Sequence, residues 1–277
     1  MNRLVYDDLN QTLYLKNLAT LETVDTQKAS ETVQDFVQRV GQKENSNIKL
    51  NFNDNIILGK QMLEDNVYRG VVMEGIPATY AQTLEIIHNV PIDSGLRPSQ
   101  INEIVSLKRA WDYVLNKENF IVACDNIHLD FIKKIHTMIG ANMESLKQDQ
   151  IGNLRITPIY VGGVKKHDFG IPHSLEIEQE LKSLNKVIDP VIRAFKLFLY
   201  LCKKQMFRDG NKRTANLTAN YLLIQAGCGI LSINEDLVSD FKLLLIDWYE
   251  NSNEVDIMNF LLNKCYIYNH AGKAFIE

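Results

Sequence analysis

Glycine and proline are scarce in this 277-residue chain, at 14 and 6. Few breakers imply long helices with few interruptions, and no internal repeat or low-complexity tract argues otherwise. Cysteine is scarcer still. Cys124, Cys202, Cys228 and Cys265 lie far apart and make no CxxC pair. Most of them sit in apolar helical surroundings, so they read as small buried hydrophobes rather than as disulfides or metal ligands, which fits a reducing cytoplasm. A basic excess is also missing, with 30 Lys and Arg against 34 Asp and Glu and a formal charge of −4. That balance argues against nucleic acid as the main partner. No apolar run reaches membrane-spanning length, and Met1 to Asp8 has no apolar signal core. The expectation is a cytoplasmic protein without a membrane partner.

What is present is ordinary for a globular chain, 45% hydrophobic and 23% charged, with room for one large domain or a core and an appendage. Residues 1 to about 54 carry the weakest pattern. Thr26 to Val40 predicts an amphipathic helix through Ala29, Val33, Phe36, Val37 and Val40, and the polar stretch from Gly41 to Asn55 predicts a loop. Helical spacing returns over Ala78 to His88, Pro98 to Leu115 and Asp130 to Ile139. The texture then changes. Leu154 to Val161 is β-branched and aromatic, Gly162-Gly163 follows, and a second extended stretch runs from Val164 to Ile171. This predicts a β-hairpin with an edge strand at Pro158, packed as a flap on a helical body. Five further helices are expected over Ser174 to Asn185, Asp189 to Gln205, Asn211 to Ala226, Glu235 to Glu250 and Glu254 to Tyr266.

Between two of them lies Gln205-Met206-Phe207-Arg208-Asp209-Gly210-Asn211-Lys212-Arg213. Gly and Asn tolerate the left-handed backbone of a sharp turn. A loop that opens a helix aims unpaired N–H groups at one point, where the helix dipole favours anions. Lys212 and Arg213 add positive charge there, and Asp209 offers a hard oxygen suited to magnesium. Taken alone, Asp-Gly-Asn-Lys-Arg is a weak signal that reads first as a solvated inter-helix turn with a basic flank; its company, Phe207 and the flap upstream, favours the functional reading. Nothing in the nonapeptide can act as a base near neutral pH.

At these residues the chain resembles the Fic/Doc family, whose motif runs His-x-Phe-x-Asp/Glu-Gly-Asn-Gly/Lys-Arg between two helices. Phe207, Asp209, Gly210, Asn211, Lys212 and Arg213 match in order, and Lys212-Arg213-Thr214-Ala215 looks like the Doc side. The resemblance implies an all-α, Fic-like bundle with a single β-hairpin flap. It divides the chain into an N-terminal helical extension, 1–64, and a Fic-like domain, 65–277. Family members generally transfer AMP from ATP to a protein hydroxyl, and Doc-type members transfer a phosphoryl group. Carried over, Asp209 would bind Mg²⁺, Gly210 and Asn211 would offer backbone N–H groups to the phosphates, and Lys212 and Arg213 would contact phosphate oxygens. The flap residues Arg155, Ile156, Thr157, Ile159, Tyr160 and Val161 would dock a target segment by main-chain pairing.

Two departures bear on activity. The family's catalytic His falls on Gln205, whose carboxamide cannot take a proton. General-base catalysis is typically worth about 10²–10⁴-fold, so AMP transfer is expected to be impaired or absent. The second Arg of many AMP-transferring members falls on Asn216. Upstream, Gly70-Val71-Val72-Met73-Glu74-Gly75 looks like the family's inhibitory segment, with Gly70 replacing its hydroxyl residue. Glu74 then either pairs with Arg213 or is an exposed helix-end carboxylate. The expected function is a Fic-like nucleotide-binding protein impaired in transfer; the alternative is an active, ATP-dependent modifier of protein hydroxyls restrained through Glu74. His167 and His173, which flank the flap's return strand, are the nearest candidates to replace the missing base, although a His on a loop is more often solvated surface than catalyst.

Overall fold

The two helices that flank the Gln205 to Arg213 stretch form the centre of the fold. The computed structural model describes residues 2–7, 12–17, 52–90, 95–120 and 126–268. Within them are ten α-helices: α1 Phe52–Gln61, α2 Leu63–Met73, α3 Tyr80–Ile87, α4 Pro98–Val114, α5 Leu129–Gly140, α6 Ser174–Leu184, α7 Pro190–Lys204, α8 Asn211–Ala226, α9 Val238–Asn251 and α10 Glu254–Phe260. A π-helical turn, Leu261–Cys265, continues α10.

Helix α7 starts where its sequence directs. Asp189 accepts hydrogen bonds from the N–H groups of Val191 and Ile192 at 2.9 Å each, and Pro190 takes the first helical position, where its missing donor costs nothing. Its inner face buries Phe195, Phe198, Leu199 and Cys202. Helix α8 presents Leu217, Tyr221 and Ile224, also buried, and ends at Gly227 in the left-handed conformation of a helix C-terminus. The α7–α8 contact is the most extensive between any two elements described. This is the expected core hairpin.

The other helices pack around it. α4 and α5 lie on α8 and on each other, Trp111 of α4 is buried, and α2 and α3 lie on α4. Thr79 and Gln82 form a capping box that starts α3. Helix α1 docks on α8 through Asn55, whose amide donates to Leu223 O and Gly229 O and accepts from Gly229 N. Cys202, Cys228 and Cys265 are buried and unbridged, as their apolar settings predict, whereas Cys124 lies outside the described residues.

Two expectations need correction. Residues 1–64 do not read as helical throughout, because β1 Asn2–Asp7 and β2 Thr12–Asn17 pair antiparallel, Asn2 opposite Asn17. The helix expected over Thr26 to Val40 lies outside the described residues. The stretch from 154 to 171, in turn, reverses at Gly162-Gly163 but carries no strand pairing. The remaining strands are elsewhere, β3 Ile230–Leu231 against β4 Tyr266–Ile267. Fold class is unaffected: the chain is mostly helical with small two-stranded sheets.

Candidate functional site

The loop between α7 and α8 is shaped by two amides. Gln205 ends α7 in the left-handed conformation (φ 46°), and Gly210 repeats that conformation (φ 78°) just before α8. Only Gly enters this region freely, so Gln205 needs compensation. Its Nε2 donates to Cys202 O at 2.7 Å, and its Oε1 accepts from Asn211 Nδ2 at 3.1 Å. Asn211 also donates to Phe207 O at 2.8 Å and accepts from Phe207 N at 2.9 Å. Both amides are buried, so Asn211 fastens the loop at three points and Gln205 caps the helix before it. Tyr249 of α9 donates its hydroxyl to the same Cys202 carbonyl at 2.9 Å, and burial pushes its phenol well above the usual range.

His136 of α5 supports the loop from beneath. Its ring stacks on Phe207 with centroids 3.8 Å apart and planes 7° from parallel. Gly152 N donates to its Nδ1 at 2.9 Å, which leaves Nε2 as the protonated nitrogen, donating to Asp209 O at 3.0 Å. Burial is the main cause that lowers its pKa from 6.5 to about 4, so the ring is neutral. No spacing in the sequence marks His136 as part of the site.

The Asp209 carboxylate is two-fifths exposed and accepts from Gly210 N and Ser145 Oγ, each at 2.6 Å. Lone pairs remain free for a cation. Magnesium usually keeps several waters and takes one or two carboxylates with phosphate oxygens, which suits this donor set. No cluster of three metal-binding side chains occurs among the described residues. The first turn of α8 carries N–H groups without intrahelical partners, as every helix start does.

Glu74 caps the end of α2, and Gly75 (φ 72°) turns the chain away. Its carboxylate is 13% exposed and lies 3.4 Å from Lys212 Nζ and 3.9 Å from Arg213 Nε. Of the two readings left by the sequence, the structure has Glu74 facing the motif. Neither contact is aligned as a hydrogen bond, so Glu74 Oε1 and Arg213 Nε are both buried without one. Arg213, 5% exposed, is held instead by a residue the sequence did not single out: its NH1 donates to Glu103 of α4 at 3.0 Å. Gly70 is explained by packing. A Cβ there would come within 2.5 Å of the Leu107 side chain, which fills the place of the missing hydroxyl residue.

Arg155 departs most from its expected part. It is buried, and its guanidinium donates to Gln205 O at 2.6 Å, Thr157 O at 2.8 Å, Phe169 O at 3.0 Å and also Gly170 O. Its backbone N–H donates to Met206 O at 3.0 Å. One side chain thus occupies carbonyls on both arms of the flap, carbonyls a strand ladder would otherwise use, and ties the flap to the motif loop. Arg155 is therefore a staple, not a docking edge. Thr157, Ile156 and Tyr160 are exposed, the last two at 85% and 95%, whereas Ile159 and Val161 are half-buried.

Flap, motif loop and α9 enclose a groove of about 420 Å³ lined by Ile159, Val161, Gln205, Asp209, Gly210, Asn211, Lys212, Lys242, Leu245, Ile246 and Tyr249, among others. That is within the range of small-ligand sites. His167 and His173 do not line it; His167 borders a separate cavity beside Lys203 and Trp248.

Comparison with known proteins places this geometry. Residues 126–223, from the start of α5 to near the end of α8, match the Fic/DOC family. A protein adenylyltransferase fic-1 of Caenorhabditis elegans is 28% identical over 174 residues, 58% of this chain and 32% of the nematode protein. A protein adenylyltransferase Fic of Aedes aegypti is 28% identical over 212 residues, 73% of this chain and 39% of its own. The chain thus spans about a third to two fifths of these relatives. Among solved structures, a Fic domain containing signaling protein of Bacteroides thetaiotaomicron superposes with a TM-score of 0.62 at 17% identity, covering 81% of this chain and 89% of that one. Residues 134–508 of C. elegans Fic-1 give 0.57 at 20% identity, covering 82% and 69%. At such identity the structures establish the shared fold.

Proposed function

We propose that the chain, whose residues 126–223 match the Fic/DOC family, works as a Fic-type protein: it binds a nucleotide, ATP with Mg²⁺, in the groove between flap and motif loop and is impaired in AMP transfer. The observation that carries this reading is the state of the Gln205 amide. At the position of the family's histidine, its donor and acceptor are both engaged by buried partners, Cys202 O and Asn211. No histidine lines the groove, and Asp209 is its only carboxylate. His136 is near but uses both ring nitrogens to hold Gly152 and Asp209. A target hydroxyl would therefore meet no side chain able to take its proton at neutral pH.

In this reading Gly210 and Asn211 give backbone N–H groups to phosphate oxygens, and Lys212 and Arg213 add charge. Asp209 would hold the magnesium, which supplies neutralisation of the phosphates. The exposed flap residues Ile156, Thr157 and Tyr160 are the surface for a protein segment. The contact of Glu74 with Lys212 and Arg213 favours one addition: the carboxylate competes with phosphate for those cations and restrains the site. The same contact suits the second reading, an active modifier of protein hydroxyls held in check by Glu74.

Two measurements test the proposal. ATP with Mg²⁺ is expected to raise the melting temperature, more so in Glu74→Gly, and Asp209→Ala is expected to remove the magnesium-dependent part. Labelled ATP should leave no label on protein with the wild type or Glu74→Gly alone. Gln205→His combined with Glu74→Gly should gain at least about 10²-fold, the lower end of what a general base supplies. Strong labelling by wild type or Glu74→Gly would overturn the impaired reading in favour of the second.

A further inference from the structure

A second cavity, of about 450 Å³, shares no lining residue with the motif groove. Its floor is one face of α7, where Lys196, Leu199, Tyr200, Lys203 and Lys204 recur at helical spacing. Glu180 and Leu184 come from α6, Trp248 from α9 and Glu254 from α10, and residues 167–170 of the flap's return arm complete the lining. Most of the charge on these walls is already matched. Lys196 pairs with Glu254 at 3.0 Å, Lys204 pairs with Glu176 at 3.4 Å, and Asp168 accepts from Gly170 N at 2.9 Å. Two opposite charges are left over: Lys203 and Glu180 form no ion pair among the described residues.

Half-buried Lys203 spends two of its three N–H donors, on Trp248 O and Ser252 Oγ at 3.0 Å each. The Tyr200 hydroxyl is buried with no hydrogen-bond partner, which costs free energy until something bonds it. The field along the floor changes sign between these two residues. Burial, and then Glu180, Glu176 and Glu178, raises the Tyr200 phenol above its ordinary value, so the potential there is negative. Burial, and then Lys203, lowers the His167 imidazole, so the potential at that end is positive. Tyr200 and Lys203 lie one turn apart on α7, about 4.5 Å along its axis at the usual helical rise.

The geometry points to a binding site for a small zwitterion, an amino acid with an apolar side chain, its ammonium at Glu180 and Tyr200 and its carboxylate at Lys203. A simple acid meets repulsion at Glu180 and a simple amine meets it at Lys203, whereas charges of both signs a few ångströms apart suit both ends. The Tyr200 hydroxyl offers lone pairs to the ammonium, and the unspent N–H of Lys203 donates to the carboxylate in a charge-assisted bond. Leu184, Leu199 and Trp248 give the side chain an apolar surface. The site also abuts the staple of the motif loop, since Phe169 O and Gly170 O accept from the same guanidinium that holds Gln205 O.

The full chain is titrated calorimetrically with L-leucine, L-methionine and L-phenylalanine, and whichever binds most tightly is compared with its deaminated acid and its decarboxylated amine. At least one amino acid is expected to bind with a Kd below about 1 mM, and both analogues at least about tenfold more weakly, since each forfeits a charge-assisted contact. Glu180→Gln should weaken the amino acid about tenfold without weakening the acid, and Lys203→Met should do so without weakening the amine. Glu180 is exposed, so Glu180→Gln serves if Lys203→Met, which loses its bond to α9, does not fold. Tyr200→Phe should weaken amino-acid binding without lowering the melting temperature of the free protein, because its hydroxyl has no partner to lose. No binding by any of the three, or analogues that bind as tightly as the amino acid, overturns the proposal. Binding that ignores both Glu180→Gln and Lys203→Met overturns it too. Neither residue lines the motif groove, so failure here leaves the nucleotide reading standing, and failure of that reading leaves this one.

Discussion

Gln205 and Asn211 exchange a hydrogen bond across the base of the motif loop, and His136 closes the loop from below. The three show how a phosphate-binding turn is held before any phosphate arrives, with each strained or orphaned backbone group given a side-chain partner. His136 makes this support dependent on pH. Its pKa falls from an ordinary 6.5 to about 4 in the folded protein, through burial first. Between those values the unfolded chain binds the proton and the folded one does not, so stability rises with pH across the window. The contribution is complete above about pH 6.5 and is lost as the pH falls toward 4, by on the order of 3 kcal/mol at about 1.36 kcal/mol per unit. Urea unfolding of wild type and His136→Gln at pH 4.5 and 7 checks this: the gap between the two pH values should shrink in the variant. At this scale the sequence exposed the motif but not its supports. His136, Ser145 and Glu103 reach the loop from distant positions, and no local spacing encodes a contact 64 to 110 residues away.

Among elements, helices were legible and the flap was not. Helix α8 runs over the expected residues, Asn211–Ala226, because Gly210 and Gly227 bracket it and apolar positions recur at helical spacing. The flap misled because Ile156, Thr157, Ile159 and Val161 carry strand propensity, which reflects fit to a sheet rather than any intrinsic backbone demand. Here the carbonyls go to Arg155 instead, a partner that propensity cannot see. Replacing Arg155 with Met would leave the carbonyls of Gln205, Thr157 and Phe169 without this donor. We expect a loss of about 2 kcal/mol or more, since the Gln205 and Phe169 carbonyls are buried and each buried unsatisfied group costs about 1–3 kcal/mol. Amide exchange should quicken across residues 154–171 while the interiors of α7 and α8 stay protected. Equal protection of the flap in wild type and Arg155→Met would show that something other than this guanidinium holds it.

For the whole molecule, the totals gave class and little else. Hydrophobic content and scarce glycine and proline point to a helical globule, and the ten helices agree. A net charge of −4 hid a local concentration of Arg69, Lys212 and Arg213, which only folding brings around one cavity. No described helix is long and apolar enough to cross a membrane. Long-range packing also decides how α2 relates to the motif. Val67 and Val71 are fully buried, Asn66 is tied to Ser232, and the Leu107 methyl sits against the bare backbone of Gly70, so α2 is fixed both to α4 and to the segment after α8. A helix keyed in this way does not swing out to free its last residue. Displacement of Glu74 is then a rotation about side-chain bonds, quicker than the microseconds to milliseconds of collective helix motion. In stopped-flow mixing, the observed rate of nucleotide association should climb linearly with concentration, with no plateau from a slow opening step. A plateau would mean that the brake is the helix, and that Gly70 is its hinge rather than its lock.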